Sequence, residues 1–207
     1  MVSREDAAVK PDIWLVRHGE TAWSAALRHT GRTDVELTDA GRAAAAALAP
    51  RIAGHAFALV CSSPASRSRE TARLAGFPDP VVVDDLCERD YGAFEGLTTA
   101  EIRDRGPEWR DWNVWTGVLP GGETPDAAGE RARRVLARAD AADGDVLLFG
   151  HGHQLRILAA VALDLDPACG ARLMLDPAHV SVIGHEREVR ALRRWNEPVG
   201  PAAHAVP

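Results

Sequence analysis

The chain has 207 residues, of which 46% are hydrophobic and 26% are charged, so its composition predicts an ordinary globular protein rather than a disordered one. A formal net charge of -6 argues against a broad nucleic-acid-binding surface but leaves room for a small, locally basic anion pocket. The N-terminus carries acidic residues and no stretch approaches the roughly 18 apolar residues of a membrane span, so we predict a soluble, cytoplasmic chain without a membrane partner.

The three cysteines, Cys61, Cys87 and Cys169, are far apart and lack the spacing of a zinc site. Their odd number and wide separation also argue against a disulfide framework. We therefore expect buried or idle thiols in a reducing compartment.

The first predicted strand covers residues 13–16 and leads directly into Arg17, His18 and Gly19. Open α/β sheets hold their ligands at the carboxyl ends of strands, so a guanidinium and an imidazole lie at a ligand-binding edge. Arginine offers a planar fork of donors for phosphate, and histidine offers a nitrogen that is nucleophilic near neutral pH. Taken alone, the triplet of Arg17, His18 and Gly19 is weak evidence for a binding site. An ordinary surface loop explains it better unless other parts of the chain supply partner residues.

The next elements bring one further arginine to the same edge. Thr38 has the position of a helix N-cap, and Pro50 predicts a kink or an early end to that helix. A second strand over residues 57–61 leads to Ser63, which we predict to be the N-cap of a helix with Pro64 at its first position. Arg67 lies one turn into that helix, where it can reach an anion at the strand end.

The middle of the chain predicts a small cap. A third strand, 81–83, is followed by an acidic loop that leads to Glu88 and Tyr91. Thr98 begins a capping-box pattern that opens a short helix. Three tryptophans, at positions 109, 112 and 115, recur at about one helical turn, which indicates the core of a cap rather than a platform for stacking bases.

The last third predicts a helix, a strand and a second histidine at the strand end. Thr124 opens a helix whose buried stripe we place at Ala128, Ala132, Val135, Leu136 and Ala139. The strongest strand, 145–150, then ends at His151, close to His153. An apolar helix over 155–163 directs its N-terminus at this pair, and helix N-termini favour anions. Two more strands are predicted at 180–184 and 189–195.

Alternating strands and helices imply a largely parallel sheet. We predict one α/β domain over residues 1–207, a three-layer α/β/α sandwich with a mostly parallel central sheet flanked by helices. Residues 1–11 form a loose leader, about 97–122 a cap insertion, and 198–207 a loose tail.

In such a sheet the strand ends meet along one edge, which gathers Arg17, His18, Arg67, Glu88 and His151. Two histidines, two arginines and one carboxylate make a pocket for a dianion with a nucleophile and an acid beside it. We do not expect a metal, because the pair of His151 and His153 lacks a third ligand at usable spacing.

Four motifs in order and spacing resemble the histidine phosphatase superfamily, which includes the cofactor-dependent phosphoglycerate mutases. They cover roughly residues 12–195 and are Arg17-His18-Gly19-Glu20-Thr21, Ser63-Pro64-Ala65-Ser66-Arg67 with Glu70-Thr71-Ala72, Glu88-Arg89-Asp90-Tyr91-Gly92 with Glu95-Gly96, and Gly150-His151-Gly152. Finer similarities occur in residues 23–24, 30–34, 37–38 and 151–153. They look most like a branch of bacterial acid phosphatases and like the fungal sedoheptulose-bisphosphatases.

The resemblance implies a phosphohistidine mechanism without a metal or another cofactor. His18 would attack phosphorus through Nε2, and the equatorial oxygens would be bound by Arg17, Arg67 and His151. Glu88 would protonate the leaving alkoxide and then activate water. For this dual role we expect the pKa of Glu88 to lie above that of a free glutamate.

Five further residues are candidate substrate contacts, namely Ser24, Thr30, Gly31, Tyr91 and His153. The first three fit a turn-forming role equally well, and Ser24 stands where many mutases have asparagine. His153 also fits a helix-capping role.

We expect a phosphomonoesterase that acts on small phosphorylated metabolites at neutral to acidic pH. The alternative is a phosphoglycerate mutase, which needs a second basic cluster, yet residues 96–122 contain only Arg103, Arg105 and Arg110, each near an acid. A third reading is a non-catalytic binding module on the same fold, against which the presence of all five central residues argues. Family precedent makes a homodimer a reasonable expectation.

Overall fold

One six-stranded sheet organises the chain in the computed structural model, which describes residues 10–198. The strands are β1 (Ile13–Arg17), β2 (Leu59–Ser62), β3 (Val81–Val82), β4 (Val146–Gly150), β5 (Val180–Glu186) and β6 (Val189–Glu197). Their order is β3-β2-β4-β1-β5-β6. The first four are parallel, whereas β5 and β6 run antiparallel at one edge. The predicted α/β fold with a mostly parallel sheet is confirmed; nearly all of the predicted leader and tail lies outside the described residues.

Seven α-helices accompany the sheet in the described part of the chain. They are α1 (Ala22–Ala25), α2 (Asp39–Ala46), α3 (Ala49–Ile52), α4 (Ser66–Leu74), α5 (Thr99–Arg103), α6 (Pro125–Asp140) and α7 (Gly152–Ala162). The predicted caps on Thr38, Thr98 and Thr124 are confirmed, because each side chain accepts a backbone N–H from the first turn. The chain also breaks before Pro50 as expected, with α2 ending at Ala46.

The sheet buries apolar side chains on both faces. On one face Ile13 and Leu148 pack against α6, whose predicted stripe is buried at all five positions. On the other face Val16 and Phe149 pack against helices α2 to α4. Alternate residues of a strand point to opposite faces, so β1 and β4 supply both layers. At roughly 2 kcal/mol for each fully buried large apolar side chain, this two-sided core fixes the strand ends that carry the site.

The start of α4 differs from the prediction. Its N-cap is Ala65, without a side-chain cap bond, and the helix begins at Ser66. Ser63 therefore does not cap the helix. Its hydroxyl instead lies 2.7 Å from Nε2 of His151, a tertiary contact between β2 and β4 that local sequence signals do not reveal.

Residues 97–122 contain α5 and a short 3-10 helix, Pro107–Trp109, around a third apolar cluster that includes Phe94 and Trp112. Trp109 and Trp112 both pack edge-on against Phe94, with ring centroids 5.0 and 5.3 Å apart. Arg89, fully buried, donates to the carbonyls of Val114 at 2.6 Å and Glu123 at 2.8 Å. These bonds tie this segment, which we call the cap, to the loop that carries Glu88.

Among residues 10–198, no helix is both long and apolar enough to cross a membrane. All three cysteines are free thiols; Cys61 is buried, and Cys87 and Cys169 are partly exposed.

Candidate active site

The carboxyl ends of β1, β2 and β4 meet at one edge of the sheet. The parallel register pairs Arg17 with Gly150 and Ser62 with Phe149, so the residues that follow each strand lie side by side. The rings of His18 and His151 are 5.1 Å apart between centroids, in an edge-to-face arrangement. The juxtaposition expected from the sequence is thus present.

Of the two ring nitrogen atoms of His18, only Nδ1 forms a hydrogen bond within residues 10–198, which leaves Nε2 available. Its ring is 5% exposed, and Nδ1 lies 2.7 Å from the carbonyl oxygen of Gly19. A carbonyl can only accept, so Nδ1 carries the proton and Nε2 holds a lone pair. Burial, followed by the nearby His151 and the two arginines, holds the pKa of His18 well below its usual range. The imidazole is therefore neutral at neutral pH, the form that a nucleophile requires.

Close backbone packing holds this histidine in place. A Cβ on Gly19 would lie 2.5 Å from the carbonyl oxygen of Gly41, and a Cβ on Gly41 would lie 2.2 Å from that of Glu20. The N–H of Gly19 also donates to Oγ1 of Thr71 at 3.0 Å. The loop after β1 is thus clamped between α2 and α4.

Arg17 and Arg67 are the two cations of the site. Arg17 donates through one terminal nitrogen to the carbonyl of Leu175 at 2.6 Å. Arg67, 1% exposed, donates to the carbonyls of Thr33 at 2.9 Å and Gly31 at 3.2 Å. Burial lowers the pKa of both guanidinium groups, yet arginine remains charged under physiological conditions.

Three of the seven buried polar atoms that lack a hydrogen-bond partner within residues 10–198 belong to Arg17, Arg67 and His151. Nε of Arg17, Nε of Arg67 and Nδ1 of His151 are buried and have no hydrogen-bond partner among residues 10–198. Buried polar atoms are normally paired, so three such nitrogen atoms at one place indicate a site for a ligand rich in acceptors. A phosphate has that chemistry.

Glu88 occupies the N-terminus of α7. Oε2 accepts from the N–H of His153 at 2.9 Å, and Oε1 accepts from the N–H groups of Gln154 and Arg89, each at 2.9 Å. Burial alone would raise the pKa of Glu88, but its hydrogen bonds and the neighbouring histidines outweigh burial and hold that pKa well below its usual range. Our expectation of a raised pKa is wrong for the free protein, because the side chain of His153, then the neighbouring His151, and finally the backbone N–H of His153 stabilise the carboxylate.

The N-terminus of α7 binds the carboxylate of Glu88 and not a substrate anion. We expected its N-terminus to attract a substrate anion, but its N–H groups at His153 and Gln154 bind the carboxylate of Glu88. The loop that precedes Glu88 is in turn held by Arg131, which donates to the carbonyls of Asp85 and Cys87. The candidate acid is thus fixed on both sides.

A cavity of about 340 Å³ opens from His18 and Glu88 toward the cap. Four of the five predicted substrate contacts line it, namely Ser24, Thr30, Tyr91 and His153. Tyr91 is 1% exposed, and its hydroxyl lies 2.6 Å from Nδ1 of His153. Ser24 also forms a capping box with Thr21, so its structural role coexists with a place in the cavity wall.

Gly31 lies apart from the other four. It lines a second cavity of about 770 Å³ that shares Glu88 with the first. Its N–H donates to both carboxylate oxygens of Glu95, at 2.9 and 3.0 Å, and its carbonyl accepts from Arg67. Gly31 therefore supports the position of Arg67, and its contact with substrate stays a prediction.

Sequence reasoning missed three residues at this edge: Ser63, His29 and Arg156. Ser63 supplies the side-chain contact to His151, whereas His29 and Arg156 line the smaller cavity. For Ser63, its position directly after a strand was the available sequence signal. His29 and Arg156 reach the cavity only through tertiary packing. Within the described residues, no group of three or more His, Cys, Asp or Glu side chains is arranged to hold a metal ion.

Comparison with known proteins gives a consistent result. The family model described as histidine phosphatase superfamily (branch 1) matches residues 13–198. The chain is 42% identical over 183 residues to an acid phosphatase of Mycobacterium tuberculosis, covering 86% of this chain and 88% of that protein. It is 32% identical over 184 residues to a sedoheptulose 1,7-bisphosphatase of Saccharomyces cerevisiae, covering 74% and 68%. The solved structure of an M. tuberculosis open-reading-frame product superposes with a TM-score of 0.85 at 38% identity, covering 92% and 99%. The chain belongs to the histidine phosphatase superfamily.

Proposed function

We propose that the protein is a phosphatase that hydrolyses phosphomonoesters of small metabolites, such as sugar phosphates, through a phosphohistidine on His18. The observation that carries this proposal is the group of buried, unpartnered nitrogen atoms of Arg17, Arg67 and His151 beside the free Nε2 of His18. Both curated relatives described above are named as phosphatases, which supports the same reaction class.

In the first step, Nε2 of His18 attacks phosphorus while the bond from phosphorus to the leaving-group oxygen breaks. Arg17, Arg67 and His151 stabilise the charge on the three equatorial oxygens, with donors already in position before the reaction. The leaving oxygen takes a proton from Glu88. The products of this step are a free alcohol and a phosphohistidine.

In the second step, water attacks the phosphohistidine, the nitrogen–phosphorus bond breaks, and the proton of the water passes to Glu88. Inorganic phosphate then leaves. Two displacements replace one direct attack of water on a dianion. Glu88 thus serves as acid and then as base, and ends as it began.

Glu88 can donate a proton only if its pKa rises, because in the free protein that pKa is well below its usual range. A substrate dianion bound between the arginines places negative charge beside the carboxylate, and like charge disfavours the ionised form. Substrate binding therefore raises the pKa of Glu88, and the free protein keeps the carboxylate ionised on α7.

Hydrolysis is favoured over the mutase reaction by the position of the cap arginines. Arg103, Arg105 and Arg110 line neither of the two cavities. Arg103 donates to the carbonyl of Trp112, and Arg105 lies over the ring of Phe94. The cap arginines therefore add no basic cluster to either cavity. Two further arginines line the smaller cavity, but Arg28 is paired with Glu101, and Arg156 donates to the carbonyls of Gly170 and Ala171. Water should therefore cleave the phosphohistidine.

Trapping tests the proposal. Brief reaction of the wild type with a ³²P-labelled phosphomonoester, followed by denaturation at alkaline pH, should give an acid-labile label that His18→Ala abolishes. An unlabelled wild type, or label that survives in His18→Ala, contradicts the role of His18. Rapid conversion of 3-phosphoglycerate to 2-phosphoglycerate in the presence of 2,3-bisphosphoglycerate, with little phosphate release, would support the mutase instead. A homodimer and a cytoplasmic location stay predictions for gel filtration and cell fractionation.

A further inference from the structure

His29 is a buried titratable residue that takes no part in the proposed chemistry. It is 9% exposed, and it lines the smaller cavity together with His18 and Glu88. A histidine in the wall of this cavity can contact a bound substrate.

The ring of His29 is held in a fixed orientation. Its backbone N–H donates to the carbonyl of Leu97 at 2.9 Å, and its own carbonyl accepts from Gly96 at 2.8 Å. The ring packs 5.0 Å from that of Tyr91 and edge-on at 5.5 Å to that of Trp112, centroid to centroid. A side chain so constrained loses little further freedom when it binds a ligand.

One ring nitrogen of His29 is engaged and the other is not. Nε2 lies 3.3 Å from Oγ1 of Thr99. Nδ1 forms no hydrogen bond within residues 10–198, and it is not one of the fully buried atoms without a partner, so a ligand can reach it. Burial, and next the neighbouring His153, lower the pKa of His29 to about 4. At neutral pH the ring is therefore uncharged, so it can pair with a hydroxyl group and adds no positive charge to the cavity.

The charges of the two cavities decide which of them suits the organic part of the substrate. The larger cavity is lined by two arginines and five acidic side chains, Asp34, Asp84, Glu88, Asp90 and Glu123. The smaller is lined by Arg17, Arg28 and Arg156 with Glu88 as its acidic side chain. The substrate as a whole is an anion, so the five acidic side chains of the larger cavity repel it, and its organic part is better placed in the smaller cavity.

We propose that His29 determines substrate specificity, by forming a hydrogen bond through Nδ1 to a hydroxyl of the leaving group in the smaller cavity. The substrate class is then phosphate esters of sugars or other polyols rather than aryl phosphates. This inference rests on the proposed phosphatase function and names the class of compound that the same site accepts.

The test compares His29→Phe with the wild type on glucose 6-phosphate, ribose 5-phosphate and p-nitrophenyl phosphate. Phenylalanine keeps the ring contacts with Tyr91 and Trp112 but removes both nitrogen atoms. We expect kcat/KM to fall about tenfold on the sugar phosphates, mainly through KM, and to change less than about twofold on p-nitrophenyl phosphate. His29→Gln, which can restore a hydrogen bond, should recover part of the loss. His185→Phe, at the opposite end of the sheet, is the control and should change neither rate.

His29→Leu removes the same nitrogen atoms with a smaller side chain and must show the same selectivity, so a failure of one variant to fold does not end the test. Equal losses on both substrate types, or no loss at all, overturn the inference, because the role is then structural or absent. A wild type that hydrolyses p-nitrophenyl phosphate but no sugar phosphate also overturns it and leaves the phosphatase function intact. Release of phosphate from no ester at all contradicts the function and this inference together.

Discussion

The carboxylate of Glu88 accepts a hydrogen bond at 2.9 Å from the backbone N–H of His153, the second residue of α7. Glu88 is thus the candidate acid, and His153 belongs to the helix end that helps to keep its carboxylate ionised. The side chain of His153 points back to the same group, with Nδ1 3.7 Å from Oε2. His153, first through its side chain and then through its backbone N–H, therefore governs when Glu88 can carry a proton.

Glu88→Gln should lose turnover while it retains phosphate binding. An amide has nearly the same shape and keeps an acceptor for α7, but it cannot transfer a proton. We expect kcat to fall about 10²- to 10⁴-fold, with the inhibition constants for phosphate and vanadate changed only a few-fold. Steady-state assays with either inhibitor measure both quantities. Near-normal turnover would transfer the acid role to Asp84, Asp85 or Asp90.

Activity should persist below the ordinary titration range of histidine. His18 must be neutral to attack, and its pKa lies well below the usual value of about 6.5, chiefly because of burial. The acidic limb of kcat/KM should therefore lie clearly below pH 6.5. Initial rates on p-nitrophenyl phosphate from pH 4 to 8 measure it; a limb centred near 6.5 would show that His18 titrates like an exposed histidine.

Stability should fall as the pH is lowered from about 6.5. Burial lowers the pKa of His29 to about 4 and that of His151 to about 3. A histidine with a depressed folded-state pKa binds protons more readily when unfolded, so its contribution is complete above about 6.5 and is lost toward the folded-state value. The free energy of unfolding should decrease by about 1.4 kcal/mol per pH unit for each such histidine.

Urea denaturation at several pH values between 7 and 4 measures this slope. His29→Phe should show a shallower dependence, because one of the histidines responsible is absent. Equal stability at pH 7 and pH 5 in the wild type would contradict the prediction.

Ser63→Ala should impair catalysis through His151. The hydroxyl lies 2.7 Å from Nε2 of His151 and is fully buried, so its removal leaves the ring without that partner. We expect kcat/KM to fall about tenfold, in proportion to the loss of one buried hydrogen bond. Ser66→Ala is the matched control, because Ser66 bonds to Asp34 at the surface and does not contact His151. Similar effects of the two substitutions would refute a specific role for Ser63.

Gly41→Ala should displace the loop that carries His18. The added Cβ would lie 2.2 Å from the backbone oxygen of Glu20, which neither residue can relieve without a backbone shift. We expect a loss of about 1 to 3 kcal/mol in stability together with reduced activity. Gly54→Ala is the control, since no atom lies within 4 Å of its added Cβ. Thermal melting and initial rates measure both variants, and a fully active, equally stable Gly41→Ala would disprove the clamp.

Local patterns determined much of the fold in advance. The threonine caps, the interruption at Pro50 and the α6 stripe follow from interactions within a few residues of chain. A strand repeats its buried positions every 2 residues and a helix every 3.6. The spacing of apolar residues along the chain therefore indicates which element forms and which face of it is buried. The meeting of His18 and His151 at one edge also followed, since parallel strands end together.

Only the tertiary structure decided the electrostatics and the walls of the site. The pKa of Glu88 depends on the side chain and the backbone N–H of His153, which lies 65 residues further along the chain. Ser63 has the sequence environment of a helix cap, but its hydroxyl lies against His151, 88 residues away. His29 reaches the cavity because the cap folds over it. Desolvation and hydrogen bonding depend on three-dimensional neighbours. The sequence alone therefore predicted that the residues at the strand ends, such as His18 and His151, meet, and the fold decided which other side chains join them and which of them are charged.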